Sequence, residues 1–239
     1  MNRWILFLAA ALAASATVAA AREFPAVVEA EVQAVLAAER EGVLTRLTVD
    51  TGDRVNRGAE IAEVFHRHLV LRKELHQATR EYLRVQVENL ERLGDKGLTT
   101  QEELARARME LAVNGKEIGM VETEIQRSVV RAPFPGIVIA REVQPHEWVR
   151  PGQPVVEMYD PRRLRIVADI PADIAVGLKP GDAHAIFFPD LQAEVRGTLR
   201  VLSPRVDVRS NTIKIHWDVA RGGERLFPGM KGVLKLGSE

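Results

Sequence analysis

Two long segments in the first half of the chain carry apolar residues at helical spacing. From about Gln101 to Ser128, apolar residues recur every seven positions, with smaller or polar residues between them. This heptad comprises Leu104, Leu111, Ile118 and Ile125, interleaved with Ala107, Asn114, Val121 and Ser128. From about Leu69 to Leu93, a second stripe with 4-3 spacing comprises Leu71, Leu75, Ala78, Tyr82 and Val85. Both patterns predict α-helices, and the heptad predicts that they pack together.

A short polar segment joins the two predicted helices. Either of two glycines in it, Gly94 or Gly97, can end the first helix in a left-handed cap. Thr99 and Thr100 each stand three residues before a glutamate, and either pair fits a capping box for the second helix. The sequence therefore predicts an antiparallel α-helical hairpin over residues 66–130, with a length on the order of 40 Å.

Two secondary patterns accompany the hairpin. Towards the tip, Asn89 and Arg92 replace the first stripe, and a second apolar edge appears at Leu83, Val87 and Leu90. This shift is expected if the tip contacts another molecule, and equally from drift in a short coiled coil. Small residues in the second helix predict room for close approach of the two helices: Ala105, Ala112 and Gly119.

An internal repeat flanks the helical segment. The stretch from Gly42 to Val64 aligns with the stretch from Gly136 to Met158 at a constant offset of 94 (136 − 42). Each copy predicts a strand, a tight turn, a short strand, a second turn and an apolar strand. The glycines assigned to structural turns in the repeat are Gly42, Gly52, Gly58, Gly136 and Gly152. His146 takes the place of Gly52 in the second copy, and histidine tolerates a left-handed conformation better than bulkier residues.

The last part of the chain alternates short strands with turn residues. The predicted strands are Leu164–Ile170, Ala183–Phe188, Glu194–Ser203 and Thr212–Val219, with a short helix at about Ala172–Leu178 and turns at Lys179–Asp182 and Arg221–Gly223. This spacing predicts a small antiparallel β-barrel over residues 161–239. The alternating stretch Val28–Ala34 predicts one more strand, so the N-terminal arm, residues 22–40, is assigned to the barrel.

Composition narrows the classes of function. The chain has 239 residues, 46% of them hydrophobic, and its 33 Lys and Arg balance its 33 Asp and Glu. With only 5% aromatic residues and no net charge, nucleic-acid binding is disfavoured. The absence of cysteine excludes disulfides, thiolate metal ligands and a lipid-modified N-terminal cysteine. Neither a nucleophile-elbow motif nor a carboxylate–histidine group beside a glycine turn is present, so no enzyme is predicted.

The N-terminus has the layout of a secretory signal. Arg3 precedes an uncharged apolar stretch, and the small residues Ala19–Ala21 precede Arg22. We therefore predict a signal peptide over residues 1–21. The alternative is an uncleaved membrane anchor, because the uncharged stretch from Trp4 is barely long enough to span a bilayer. Either interpretation takes the rest of the chain out of the cytoplasm.

The two half-repeats resemble the lipoyl/biotinyl fold, which would make residues 41–65 and 131–160 the halves of one β-sandwich. In the carrier members of that family, a lysine in the turn between the halves bears the cofactor. Here the helical segment stands in place of that turn, so no cofactor is predicted.

The half-repeats, the hairpin and the closing segment Leu226-Phe-Pro-Gly-Met230, with Gly229 in a turn, together resemble the periplasmic adaptors, or membrane fusion proteins (HlyD-like). The resemblance covers nearly the whole mature chain. It implies an α+β fold: a lipoyl-like β-sandwich split by an antiparallel α-helical coiled-coil hairpin, plus a small antiparallel β-barrel. It also implies a periplasmic, homo-oligomeric ring at the inner membrane, which links an inner-membrane efflux transporter of the proton-driven RND type to an outer-membrane exit duct.

The resemblance further implies that the hairpin tip docks on the exit duct. The candidate docking residues are Arg92, Leu93, Gly94, Lys96, Gly97 and Thr99. Family members that partner trefoil-type ducts carry Arg, Leu and Ser around this turn. The matching positions here are Glu88, Arg92 and Thr99, of which only Thr99 keeps a similar side chain. The type of duct therefore stays open.

Three alternatives remain at this stage. The first alternative is an adaptor whose transporter partner is ATP-driven. The second is a periplasmic metal-binding protein. Against metal binding, no two histidines have the i, i+4 spacing of a helical zinc site, so no metal ligand is assigned. The third is a cofactor carrier, which the missing lysine turn disfavours. Separately, the basic residues after Leu164 fit contact with anionic lipid, contact with an acidic transporter surface, or a solvated barrel exterior.

Overall fold

The computed structural model describes residues 22–219 and 226–236. The predicted signal peptide, residues 1–21, and the predicted turn at Arg221–Gly223 lie outside the described residues.

The described residues form fourteen strands, three α-helices and one 3-10 turn. The strands are β1 Arg22–Ala30, β2 Gln33–Ala37, β3 Gly42–Leu47, β4 Arg54–Val55, β5 Glu60–Val64, β6 Val129–Arg131, β7 Gly136–Arg141, β8 Trp148–Val149, β9 Pro154–Tyr159, β10 Leu164–Pro171, β11 Ala183–Phe188, β12 Ala193–Asp207, β13 Thr212–Val219 and β14 Lys231–Leu236. The helices are α1 Arg67–Gly94, α2 Gln101–Arg127 and α3 Ala172–Ala175, and the 3-10 turn is Pro189–Leu191.

The chain divides into two compact units, one made from its two ends and one from its middle. Of the described residues, the first unit comprises 22–29, 164–219 and 226–236, and the second comprises Ala30–Arg163. The chain therefore leaves the first unit after β1, forms the whole of the second, and returns with β10.

The first unit is a closed barrel of six strands in the order β1-β10-β13-β12-β11-β14, with antiparallel pairing. The predicted antiparallel β-barrel is confirmed. Trp217, Phe188 and Ile186 are fully buried in its core. Beside β1, the Gly229 amide donates to the Val28 carbonyl and the Val28 amide donates to the Met230 carbonyl. These two bonds fix the turn that leads into β14.

Two elements of the barrel differ from prediction. Strand β12 continues to Asp207 because a register shift between Leu202 and Val206 accommodates extra residues, after which pairing with β13 resumes. Helix α3 ends at Ala175, before the predicted Leu178.

The strand predicted over Val28–Ala34 is divided between the two units. Strand β1 ends at Ala30, and β2 begins at Gln33 and pairs with β9. At the bend between them, the Glu31 amide donates to the Arg163 carbonyl, and the Val32 carbonyl accepts from Asp160. These bonds satisfy the backbone where the strand breaks. The N-terminal arm, residues 22–40, thus contributes β1 to the barrel, and its remainder lies in the second unit.

The second unit contains two four-stranded sheets, in the orders β2-β9-β7-β4 and β6-β5-β3-β8. Buried residues from both sheets belong to one apolar cluster, which includes Leu44, Ile61, Val138, Val149 and Met158. In strand β5, for example, Ile61, Ala62 and Val64 are buried while Glu60 is exposed. Both predicted repeat copies thus contribute to a single core.

The two repeat copies exchange equivalent backbone hydrogen bonds. The Gly52 amide donates to the Val138 carbonyl at 2.9 Å, and at the matching positions the His146 amide donates to the Leu44 carbonyl at 2.7 Å. Gly52 and His146 have φ angles of 91° and 72°, so the histidine keeps the left-handed turn of the glycine.

The same exchange occurs at the second turn of each copy. The Gly58 amide donates to the Ala132 carbonyl, and the Gly152 amide donates to the Ala38 carbonyl, both at 2.8 Å. Gly136 differs from the other repeat glycines, because it begins strand β7 and has no left-handed φ.

Helices α1 and α2 lie side by side in opposite directions. Their antiparallel register follows from two ion pairs, Lys73–Glu122 at 2.8 Å and Glu91–Arg108 at 2.6 Å, and from a contact between the His76 ring and Glu117 at 3.2 Å. Neither helix, nor the short α3, is both long and apolar enough to cross a membrane.

The buried seam of the helix pair confirms one predicted stripe and corrects the other. In α2 the buried positions are Ala107, Asn114, Ile118 and Val121, all members of the predicted heptad. In α1 the buried residues are Leu69 and Val87, with Leu83 and Leu90 half-buried beside them. The predicted main stripe through Leu71, Leu75, Ala78, Tyr82 and Val85 is exposed instead. The small residues Ala105, Ala112 and Gly119 are exposed as well.

The α1 seam was mispredicted because polar residues occupy its middle. Lys73 and His76 are only half-buried there, with their polar ends paired to Glu122 and Glu117 of α2. Long side chains can bury their stems in this way while the polar ends reach the solvent.

Candidate functional site

The turn at the tip of the helix pair is closed by backbone hydrogen bonds. The Gly97 amide donates to the Gly94 carbonyl at 2.9 Å, and the Leu98 amide donates to the Leu93 carbonyl at 2.9 Å. Gly97 has a φ angle of 71°, the left-handed conformation that such a cap requires. This is a Schellman motif. Of the two glycines considered from the sequence, Gly97 takes the left-handed position and Gly94 remains helical.

The second helix begins with one of the two predicted capping boxes. The Glu103 amide donates to the Thr100 hydroxyl oxygen, and the Glu103 carboxylate accepts from the Thr100 amide at 3.0 Å. The Thr99 hydroxyl donates to the same carboxylate at 2.8 Å. The hydrogen bond from the Thr100 amide, followed in size of effect by the one from the Thr99 hydroxyl, lowers the pKa of Glu103, so the carboxylate stays ionised at neutral pH. Both ends of the turn are therefore held in place.

Apolar and basic side chains at this ordered turn remain exposed to solvent. Leu98 is 69% exposed and Leu93 is 39% exposed. Arg92 and Lys96 are also exposed, and the Arg92 guanidinium donates to the Asn89 side-chain oxygen. A rigid turn that leaves large apolar groups in water is a candidate for protein contact.

The structure brings the predicted tip residues together around this turn and adds one that the sequence analysis missed. Thr99 is half-buried and its hydroxyl is engaged by Glu103, so it is the least available of the predicted set. Leu98 was not singled out, although an apolar residue directly after a capping glycine is a recognisable pattern. Glu88 lies on α1 and is exposed, about one helical turn before Arg92.

The histidines that suggested metal binding take part in other contacts. The His66 ring bonds to the Val64 carbonyl, His76 pairs with Glu117, and His184 accepts from the Trp217 indole at 3.1 Å. Within residues 22–219 and 226–236, no three His, Asp or Glu side chains converge to hold a metal ion.

A second candidate surface lies where β12 turns into β13. A groove of about 670 Å³ there is lined by basic, hydroxyl and acidic side chains, among them Arg205, Arg209, Lys214 and Asp207. Among the described residues, the three basic side chains form no ion pair, and Val208 at the turn is 97% exposed. The Asp207 carboxylate accepts from the Ser210 and Arg209 amides, which lowers its pKa and orders the turn.

Solved structures with the same fold place the chain among known architectures. A chimera of MacA that carries the MexA α-hairpin domain of Pseudomonas aeruginosa is 16% identical, with a TM-score of 0.78 over 90% of this chain and 81% of the chimera. The membrane fusion protein Spr0693 of Streptococcus pneumoniae is 14% identical, with a TM-score of 0.75 over 89% of this chain and 99% of its own. The periplasmic adaptor protein EmrA is 16% identical, with a TM-score of 0.51 over 89% and 98% of the two chains.

No protein-family model matches the sequence, and no curated protein does. The structural likenesses establish that the chain has the fold of membrane fusion and periplasmic adaptor proteins. The family resemblance drawn from the repeat, the hairpin and the closing segment is thus confirmed at the level of fold.

Proposed function

We propose that the chain is a non-enzymatic periplasmic adaptor that links an inner-membrane efflux transporter to an outer-membrane exit duct. In this proposal, the two sheets form a lipoyl-like sandwich, and α1 and α2 form a coiled-coil hairpin inserted into it. The segment 1–21 exports the chain. For the transporter, we retain the proton-driven RND type expected from the sequence.

The hairpin tip carries the proposal. The Schellman motif and the capping box fix the turn from both sides, yet Leu93 and Leu98 stay exposed. Ordering a loop before it binds reduces the entropy lost on association, so a rigid tip is suited to docking. Arg92, Asp95 and Lys96 place charges of both signs beside the apolar pair, so the exposed leucines and not a net charge carry the docking proposal.

We propose that the turn between β12 and β13 belongs to the transporter side of the adaptor. Its Arg205, Arg209 and Lys214 form no ion pair with another described residue, and they suit an acidic protein surface or anionic lipid headgroups.

A cysteine cross-linking experiment tests the tip, because the natural chain has no cysteine. Lys96→Cys, labelled with a photoreactive maleimide, is expected to capture an outer-membrane duct protein in the intact envelope of the native host. Gln77→Cys, at an exposed position of α1 far from the tip, is the matched control and is expected to capture no duct protein. Capture of the duct from Gln77→Cys as efficiently as from Lys96→Cys would contradict tip docking.

Export measurements provide an independent test. Leu98→Asp places a charge on the most exposed apolar side chain of the tip without altering the left-handed Gly97. We expect export to fall at least tenfold while helix content stays unchanged by circular dichroism. Gln77→Asp is the control. Full export with Leu98→Asp would refute the assignment of the tip as the docking site.

The transporter type is tested with the same approach at the barrel. Arg209→Cys carrying the photoreactive label is expected to capture a proton-driven transporter. Capture of an exporter with a nucleotide-binding domain would instead establish an ATP-driven partner and overturn the RND assignment.

A further inference from the structure

Strands β12 and β13 continue together past the end of their neighbour β11. Strand β12 pairs with β11 as far as Thr198, whereas its pairing with β13 continues to Asp207. At the turn that follows, Val208 is 97% exposed, so no described part of the chain covers it. A single exposed valine is ordinary on a protein surface, and its surroundings therefore decide what it does. We call residues 203–214 the β12–β13 extension.

Hydrogen bonds fix the turn that carries Val208. The Asn211 amide donates to the Asp207 carbonyl at 2.8 Å, and Asn211 has a left-handed φ angle of 53°. The Asp207 carboxylate accepts from two backbone amides of the turn. The Ala172 amide, at the start of α3, donates to the Asn211 carbonyl at 3.0 Å. The fold therefore holds Val208 in one position on a well-ordered turn.

The groove of about 670 Å³ beside this turn has the side chains of a phosphate-binding site. Cationic and hydroxyl groups line it: Arg205, Arg209, Lys214, Ser203, Ser210 and Thr212. Two carboxylates line it as well. That of Asp207 accepts from the turn amides, and Asp169 lies opposite Lys214 in the register of β10 and β13. The two arginines are thus the cations best placed to bind an anion, and guanidinium groups bind phosphate oxygens in a bidentate manner.

The groove lies at the end of the barrel where the chain enters it. Pro171 pairs with Thr212 next to the turn, and Asp173, two residues after Pro171, contacts Arg22 at 3.8 Å. Arg22 directly follows the uncharged apolar stretch that ends at Ala21. The segment that the sequence assigns to export, or alternatively to a membrane anchor, therefore joins the barrel at this end.

From these observations we infer that the β12–β13 extension binds a membrane surface that contains anionic phospholipid. Arg205 and Arg209 hold the phosphate of a headgroup in the groove, and Val208 enters the apolar layer beneath the headgroups. Binding of this kind combines burial of apolar surface with attraction to anionic lipid. An acidic protein surface would pair with the arginines but would place Val208 against charged groups.

The membrane setting of this inference rests on the proposed adaptor function. Lipid binding by the purified chain is nevertheless testable without a transporter or a duct. Capture of a transporter through Arg209→Cys tests the proposed function separately, so the failure of either one can be recognised by itself.

A fluorescent probe at the turn tests the lipid contact, because the chain has no cysteine of its own. In the full-length chain, Val208→Cys carries an environment-sensitive nitrobenzoxadiazole label, and Val201→Cys carries the same label as the matched control. Val201 is 45% exposed on the same strand, roughly 20 Å from Val208. The vesicles contain equal parts of phosphatidylcholine and phosphatidylglycerol, or phosphatidylcholine alone. Nitroxide-labelled lipid reports by quenching whether the probe enters the bilayer.

With anionic vesicles, we expect the probe at position 208 to brighten and to be quenched by nitroxide lipid, and the probe at position 201 to do neither. The lipid concentration that gives half of the response should be at least tenfold higher with phosphatidylcholine alone. Arg205→Gln with Arg209→Gln should remove this preference. Arg196→Gln with Lys231→Gln, which neutralises two exposed cations elsewhere on the barrel, should retain it.

Several results would overturn the inference. An unchanged probe at position 208 with anionic vesicles would exclude membrane contact and leave an acidic transporter surface as the partner. Equal responses at positions 208 and 201 would indicate adsorption of the whole barrel instead of contact by the turn. A preference for anionic vesicles that is absent, or that survives loss of both arginines, would exclude headgroup binding in the groove. The same response to inorganic phosphate without vesicles would identify a free anion as the ligand.

Discussion

Replacing Asn114 with leucine is expected to stabilise the helix pair. The residue is 4% exposed in the seam, and its Oδ1 atom has no hydrogen-bond partner among the described residues. A buried acceptor without a partner costs about 1–3 kcal/mol of folding free energy. Leucine removes that cost and adds apolar surface to the seam, while imperfect fit of its branched side chain subtracts up to about 1.5 kcal/mol. We expect the free energy of unfolding to rise by about 1–2 kcal/mol.

Urea denaturation, monitored by the helical signal in circular dichroism, measures this effect in the second unit, which contains Asn114. Both long helices belong to the second unit, so the loss of helical signal reports its unfolding. Gln77→Leu is the control, because this exposed position makes no described contact and should change stability by less than about 0.5 kcal/mol. A fall in the free energy of unfolding for Asn114→Leu would refute the reasoning.

Three further predictions concern packing and pH. Gly136→Ala should lower the unfolding free energy of the second unit by at least about 1–3 kcal/mol in urea, because a Cβ atom there would lie 2.4 Å from a backbone oxygen of β9. The Arg162 guanidinium holds the pKa of the buried Asp160 carboxyl below its ordinary value of 3.8. The ionised carboxylate therefore stabilises the fold at pH values above 3.8, and this stabilisation is lost as the pH falls through the lowered pKa. Asp160→Asn should therefore cost about 1.5–3 kcal/mol at neutral pH and flatten the acid limb of a stability–pH curve. Burial lowers the pKa of His184 below its ordinary 6.5, so the folded barrel favours the neutral ring, which accepts a hydrogen bond from the Trp217 indole. The stability of the barrel should therefore begin to fall as the pH drops below 6.5. Tryptophan fluorescence during denaturation measures that loss, and a pH-independent midpoint between pH 7 and 5 would contradict it.

Strongly periodic features were predictable from the sequence. The α2 heptad faces α1, because its spacing and its caps agree with each other. The repeat was visible in the sequence because equivalent backbone positions need equivalent residues. The one exception, His146 at the position equivalent to Gly52, keeps the left-handed turn. Strands β11 and β13 begin and end where the alternation of residues starts and stops.

The misassigned features share one physical cause, which is that hydrophobicity alone does not identify the partner of a surface. The most apolar stripe of α1 runs through Leu75 and Tyr82, and a pattern-based interpretation assigns it to the seam. The actual seam includes Lys73 and His76, whose polar ends contact glutamates on α2 that the sequence pattern does not pair with them. Likewise, the alternation over Val28–Ala34 continues through a bend that only tertiary hydrogen bonds define.

At the candidate site, local rules predicted the backbone but not the exposed surface. Capping depends on a few neighbouring residues, so the sequence restricted the caps to Gly94 or Gly97 and to Thr99 or Thr100. The structure selects Gly97 and Thr100. The exposure of Leu98 and the engagement of Thr99 by Glu103 depend on how the turn is folded back, which the sequence pattern does not specify.

The hydrogen bonds exchanged between the repeat copies have a consequence for the order of folding. Gly52 finds its acceptor in Val138, and His146 finds its acceptor in Leu44, so neither copy completes its turn until the other is nearby. Contacts so distant in sequence form slowly, because a long loop must close first. The helix pair consists of local contacts and can form early, and it brings the ends together where the Val64 amide meets the Ser128 carbonyl. Removing one heptad from each helix should therefore leave the folding rate of the sheets nearly unchanged, whereas replacing the helices with a flexible linker of equal length should slow it.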